Sequence, residues 1–352
     1  MRQFFDPLRQ KPAAADTAPK FARAPGETGV VLPWPGDAAA RSRRLRGADE
    51  IRAGVIANAR AHRNHKNGLQ FEGTDDVLYA SPRTRVALER TLVDFAAEGV
   101  NLLIVDGGDG TVRDVITAAA KVFDDMPKLA VIPSGKTNAL AYDLGIPEEW
   151  TVEAALQAAR ADRFATRAPV EIERIGTSEP ALRGFLFGAG GFVRATELAQ
   201  RTHKWGAFNG VAVGLSLVWS IAQTLFGGAG NAWRRGDRMR IRREDGFEVD
   251  RSFYILFLST LERMPLGLKP FGRPRPGLKG LAVDAPPRSP LVAFGPLLMG
   301  SEAAWLDDWG YHRADPGPFE LTLEGDFVLD GEQYRGGELA IRAGAPLQFA
   351  VP

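Results

Sequence analysis

The chain has 352 residues, 25% of them charged, a formal net charge of +1 and no cysteine. A single core rarely keeps growing past ~250–300 residues, so two domains are expected. The near-neutral balance excludes a global field for nucleic acid, and the missing thiols exclude disulfides, thiolate catalysis and cysteine-ligated zinc or iron–sulfur sites. The four histidines, His62, His65, His203 and His312, do not make a His-rich metal site.

Residues 1–48 mix Pro, Ala, Gly and Arg and end in a basic run from Arg41 to Arg46. No apolar stretch of signal or anchor length follows the first charges, so a flexible basic extension is expected. From Ile51 the pattern alternates. Strands are expected at Ile51–Ala57, Leu102–Val105 and Leu129–Ile132. Helices are expected near Ser81–Glu98, at Thr111–Phe123, from Asn138 to a stop at Gly145, and at Val152–Arg160. This order predicts an α/β domain over residues 49–163 with a doubly wound, mostly parallel sheet. After Arg163 short apolar segments such as Phe185/Phe187, Phe253–Leu258, Phe319/Leu321/Leu323 and Phe327/Leu329 predict an antiparallel, sandwich-like β domain over 164–352. A helical insertion is expected at 195–228.

Between the strand at Leu102–Val105 and the helix after it stands Asp106-Gly107-Gly108-Asp109-Gly110-Thr111. Strand-to-helix turns are where α/β proteins bind ligands. Three glycines without Cβ atoms let the backbone approach phosphate oxygens, and the next helix offers free N–H groups and a positive dipole end. Asp109 beside phosphate implies a bridging Mg²⁺. The other reading is an ordinary βα turn with glycines placed for tight geometry.

A second turn, Pro133-Ser134-Gly135-Lys136-Thr137-Asn138, follows the next strand. Its Gly135-Lys136-Thr137 resembles the end of a Walker A loop, but Ala130 stands where that loop needs its first glycine. The turn is therefore expected beside the first one, adding Gly135, Thr137 and Asn138 to the same cleft, with Lys136 as a charge partner for phosphate. A third turn begins at Asn58 and bunches Arg60, Arg63 and Lys66 at the same sheet edge. Thr84 either offers its hydroxyl to a phosphate or caps the helix it begins.

Taken together, Asp106 to Thr111, Pro133 to Asn138 and Leu144-Gly145-Ile146-Pro147 resemble the catalytic domain of the diacylglycerol kinase and sphingosine kinase family, whose glycine turn is shared with NAD kinase and phosphofructokinase. Phe327-Val328-Leu329-Asp330-Gly331-Glu332 is similar to that family's Asp-Gly-Glu segment, which folds back over the cleft. The resemblance spans residues 51–352 and implies an NAD-kinase-like nucleotide domain. It implies ATP on Gly107, Gly108, Gly110 and Thr111, an Mg²⁺ network through Asp109, and Glu332 as general base. Asn58, Thr84, Gly135, Lys136, Thr137 and Asn138 complete the expected nucleotide contacts. Two departures stand out. Lys136 occupies a position where the family usually has threonine, and the turn Lys269 to Gly277 lacks the family's acidic metal ligand, which leaves Asp284 as a weak second candidate.

The segment from Val211 to Ala232 carries no charge and is followed by six arginines up to Arg243. Its stretch from Val211 to Phe226 is too short to span ~30 Å of hydrocarbon as a helix. Residues 211–243 read either as a peripheral contact with an anionic membrane or as a core helix followed by an arginine-edged strand. The expected activity is ATP-dependent phosphorylation of diacylglycerol or a related lipid alcohol, in the cytoplasm at the inner membrane surface, with a homodimer left open. The competing readings are an NAD kinase or phosphofructokinase, whose Asn-Glu and Asp-Asn-Asp segments are absent here, and a nucleotide- or lipid-binding regulator without turnover.

Overall fold

The computed structural model describes residues 50–58, 61, 77–203 and 235–352. The N-terminal extension, the cluster of Arg60, Arg63 and Lys66, and most of the expected insertion lie outside the described residues.

The first sheet is built on strands β1 (Ala53–Ala57), β2 (Val77–Ala80), β3 (Leu102–Gly107) and β4 (Lys128–Pro133). β1, β3 and β4 are near-continuous apolar runs, as strands covered on both faces require. Helix α1 (Arg85–Ala97) connects β2 to β3, and α2 (Asp109–Val122) connects β3 to β4. Leu88, Leu92 and Phe95 of α1 recur at helical spacing and are buried, as are Val112, Val115, Ile116 and Ala119 of α2. Each such leucine, valine, isoleucine or phenylalanine contributes roughly 1.5–3 kcal/mol by leaving water. After β4 come α3 (Ala139–Leu144) and α4 (Val152–Arg160). Gly145 stops α3 as expected, in the left-handed conformation at φ 72°.

The strand order is β2-β1-β3-β4-β17-β5, with β5 (Phe164–Arg167) and β17 (Leu347–Ala350) at the far side. All neighbours run parallel except β17 and β5. Both of those strands fall past residue 163, yet they complete the first sheet. The chain order reverses between β1 and β3, which makes their carboxyl ends a topological switch point.

Among the described residues the second sheet is antiparallel, as expected, with 11 strands in one hydrogen-bonded network. Its strands are β6 (Val170–Arg174), β7 (Leu182–Gly184), β8 (Leu186–Gly190), β9 (Asp237–Arg243), β10 (Glu248–Ser259), β11 (Lys279–Asp284), β12 (Tyr311–Ala314), β13 (Phe319–Leu323), β14 (Phe327–Leu329), β15 (Glu332–Tyr334) and β16 (Gly337–Ala343). The long β10 joins the parts: its first half pairs with β9, and its second half pairs with β8 and β11. Helix α5 (Gly191–His203) begins before the expected insertion start. Helices α6 (Pro290–Leu298) and α7 (Ala304–Asp308) are additions to the expected elements.

Candidate functional site

Gly108 is the N-cap of α2, and its carbonyl accepts from Thr111 N at 2.8 Å and Val112 N at 3.1 Å. The helix therefore presents its positive end at the mouth of the glycine turn. Asn58, just past β1, braces the turn from the neighbouring strand: its Nδ2 donates to Thr111 Oγ1 at 2.9 Å and its N–H to the Asp106 carbonyl at 2.9 Å. Ser134 Oγ donates to the Asp106 carboxylate from the other side. The ends of β1, β3 and β4 thus meet at one place.

The second turn is closed by Asn138, a left-handed residue at φ 47°. Its Oδ1 accepts from Gly135 N at 2.9 Å, and its Nδ2 donates to the carbonyls of Gly135 at 3.0 Å and Pro133 at 3.3 Å. The two turns touch through their glycines, since a Cβ on Gly135 would lie 2.5 Å from the Gly108 Cα. Asp109 fastens them further. Its Oδ2 accepts from Ala139 N at 3.0 Å and its Oδ1 from Leu140 N at 3.1 Å, so a carboxylate from α2 caps α3. Burial raises the Asp109 pKa, and these main-chain donors oppose the rise. At the other end of α3, buried Asp143 is held by Arg167 Nε and by Arg263 N, each at 2.6 Å.

The third component comes from the second sheet. β14 and β15 form a hairpin whose turn residues, Asp330 and Gly331, have φ of 44° and 81°. Asp330 is buried, with Oδ2 accepting from Phe185 N at 3.0 Å and Oδ1 from Leu186 N at 2.9 Å. Burial and the charge of Asp109 push its carboxyl up to about 7, against the pull of those N–H groups and Arg113. Arg113 of α2, only 4% exposed, donates from Nη1 to the carbonyls of Leu329 at 3.0 Å and Asp330 at 3.2 Å. Its other donors meet Asp114, and its guanidinium lies 5.9 Å from the Tyr334 ring centroid. The hairpin is therefore clamped onto the glycine-rich turn. Glu332 stands half-exposed at the rim, 3.4 Å from Arg85 of α1 and 3.8 Å from Arg113.

The structure thus brings together Asn58, Gly107, Gly108, Asp109, Gly110, Thr111, Gly135, Asn138 and the hairpin bearing Glu332. Lys136 and Thr137 are exposed on the second turn. Thr84 caps α1, with Oγ1 accepting from Ala87 N at 3.1 Å. Arg113, Asp330, Arg85 and Asp143 were missed. The one available signal was Arg113, a charge among the buried positions Val112, Val115 and Ile116.

Asp109, expected in an Mg²⁺ network, is partly buried, and each of its oxygens accepts one main-chain N–H group. Among the described residues no group of three or more His, Asp or Glu is placed to hold a metal. Asp284 is engaged elsewhere, by Arg251 at 2.6 Å and His312 at 3.3 Å. The arginines of β9 lie in ion pairs, Arg238 and Arg240 with Asp250 and Arg242 with Glu320. Residues 211–234 lie outside the described residues. No helix among the described residues is long and apolar enough to cross a membrane.

Residues 55–168 match the family model of the diacylglycerol kinase catalytic domain. A diacylglycerol kinase of Bacillus subtilis (strain 168) is 42% identical over 76 residues, which is 22% of this chain and 23% of that protein. A protein named probable lipid kinase YegS, from Shigella flexneri, is 45% identical over 51 residues, 14% of this chain and 17% of its own length. The matched stretch spans less than a quarter of either relative. The crystal structure of a diacylglycerol kinase from Bacillus anthracis str. Sterne shares the fold, with a TM-score of 0.57 at 14% identity over 86% of this chain and 97% of that one.

Proposed function

We propose, from the match of residues 55–168 to the diacylglycerol kinase catalytic domain, that the chain is a lipid kinase transferring the γ-phosphate of ATP to the hydroxyl of diacylglycerol or a related lipid alcohol, such as a sphingoid base or monoacylglycerol. The observation that carries this reading is the clamp of Arg113 on the Asp330 hairpin, which sets Glu332 beside the glycine-rich turn. Phosphoryl transfer asks a protein mainly for positioning and charge neutralisation. In this reading the ATP phosphates lie against the turn from Gly107 to Thr111 at the positive end of α2. Gly135, Thr137 and Asn138 border the nucleotide, and Lys136 and the exposed Arg85 supply positive charge. Asp109 acts as a positioning residue that keeps the two turns in contact.

Glu332 accepts the proton of the lipid hydroxyl as that oxygen attacks the γ-phosphorus. The bond from the γ-phosphorus to the bridging oxygen breaks, ADP leaves, and a lipid phosphomonoester forms. Among the described residues no group of three or more His, Asp or Glu is placed to hold a metal, and no step is assigned to a protein-held ion.

The test is transfer from labelled ATP to a panel of diacylglycerol, monoacylglycerol, sphingoid base and NAD. Transfer to a lipid is expected, with kcat lowered roughly 10²–10⁴-fold in Glu332→Gln and ATP affinity kept. ATP binding without transfer to any acceptor would mean a regulator. Undiminished transfer in Glu332→Gln would remove that residue as the base.

A further inference from the structure

Helix α6 is apolar on every side. Its inner face, Pro290, Ala293, Phe294 and Leu297, is buried, with the Phe294 ring edge-on to Tyr311 at 5.9 Å. Its outer face is equally apolar: Leu291 is 72% exposed, Val292 58% and Met299 73%. No charged residue occurs from Pro290 to Gly300. A helix apolar all round is normally covered all round, so this outer face calls for a partner.

A neighbouring turn extends the face. Leu266, 73% exposed, sits at φ 60° and ψ 16°, a left-handed conformation that is costly for leucine. The Lys269 N–H donates to the Leu298 carbonyl at 2.7 Å, which ties this turn to the last turn of α6. The strained backbone thus holds a fourth large apolar side chain in solvent, three positions before the residue tied to the end of α6.

Cations frame the patch. Arg288 precedes α6 and lies 5.2 Å from the Trp309 ring centroid, while Lys269 marks the other end of the helix. Arg263 and Arg273 are exposed on the same loop system. Among the described residues Arg263, Lys269 and Arg288 form no ion pair, and Arg273 lies 3.5 Å from Glu302. The β9 arginines, by contrast, are spent on carboxylates across the sheet. Apolar tips between cations, with tryptophan at the edge, match the chemistry of an anionic lipid surface. A second copy of the chain fits less well, because a two-fold pairing would oppose cation to cation.

We propose that α6 and the turn at Pro265–Gly267 dock the protein on an anionic phospholipid bilayer. A cavity of about 220 Å³ beside this surface, lined by Met264, Leu268, Lys269 and Phe271, reaches Tyr142 on α3. The docking surface thereby borders the helix that Asp109 caps. The proposal rests on the lipid-kinase reading for its purpose, but its measurement needs no ATP.

The full chain is sedimented with vesicles of phosphatidylcholine plus phosphatidylglycerol, and with phosphatidylcholine alone. Binding is expected only to the mixed vesicles. It is expected to fall roughly tenfold or more in Leu291→Ser/Met299→Ser and in Lys269→Glu/Arg288→Glu, and to persist in Arg240→Gln. Circular dichroism confirms that these surface variants are folded. Unchanged binding in both pairs of variants would overturn the proposal, as would a dimer in vesicle-free solution that Leu291→Ser dissolves. Vesicle binding without phosphate transfer would sink the kinase reading alone. Transfer to detergent-dispersed lipid without vesicle binding would sink the docking surface alone.

Discussion

Arg113 Nη1 donates to the main-chain carbonyl of Asp330 at 3.2 Å, so one buried cation belongs both to the helix after the glycine turn and to the hairpin that carries Glu332. The bond joins the two sheets at the candidate site. It also makes the position of Glu332 depend on a residue that touches no substrate in the proposed reaction.

Removing that cation takes a donor away from the Leu329 and Asp330 carbonyls and from Asp114. Arg113→Ala is expected to lower the unfolding free energy by about 2–4 kcal/mol, measured by urea denaturation. Arg113→Lys should recover only part of this, since a single ammonium cannot span the same acceptors. A loss below about 0.5 kcal/mol, typical of surface changes, would show that the clamp carries no stability.

Gly135 has no room for a side chain. A methyl there would meet the Gly108 Cα at 2.5 Å and Asn138 Oδ1 at 2.7 Å. Gly135→Ala should push the turns apart, destabilise the protein by roughly 1–3 kcal/mol and weaken ATP binding measured by calorimetry. Wild-type nucleotide affinity in this variant would mean that the glycine contact does not shape the site.

The Asp330 carboxyl is pushed up to about 7, first by burial and then by Asp109. Its folded pKa lies above its unfolded one, so the folded state binds the extra proton between the two values. The resulting stabilisation is full below the unfolded carboxylate range and is lost as pH rises through about 7. Unfolding free energy should therefore decline toward pH 7, with a slope of at most about 1.4 kcal/mol per pH unit for one proton. The decline should be shallower in Asp330→Asn, whose amide does not titrate. Parallel stability curves for the two proteins from acid to neutral pH would contradict the assignment.

His312 lies between two carboxylates, with Nδ1 at 2.5 Å from Asp307 and Nε2 at 3.3 Å from Asp284. Burial disfavours its charge, but the bonds to Asp284 and Asp307 outweigh that and raise its pKa. Here too the folded value exceeds the unfolded one, so the stabilisation is complete below about 6.5 and fades as pH rises through the folded value. The advantage of wild type over His312→Gln should be largest in mild acid and shrink with rising pH. An imidazole NMR titration at or below the ordinary histidine value would refute this.

Local pattern was enough to read β3, β4 and the glycine turn between β3 and α2, because apolar runs, helical spacing and glycine act over a few residues. Sheet membership was not legible for β5 and β17, which follow residue 163 in sequence but join the first sheet through partners far away in the chain. Asp109 shows the same limit at one side chain. Its acidity beside glycines pointed to a metal, but no local signal told that its oxygens also accept the N–H groups of α3, 30 and 31 positions on. Arg113 and Asp330 were hidden for a related reason: a charge is normally read as surface unless its buried partners can be seen.

The placement of β17 between β4 and β5 has a consequence for synthesis. A nascent chain that has made both glycine turns and everything through β5 still lacks the strand that joins the two edges of the first sheet. That sheet closes only after residues 170–346, which supply the entire second sheet, have been made. The half that carries the glycine turns is thus held back until the half that carries Glu332 is available, and premature termination yields an open first sheet.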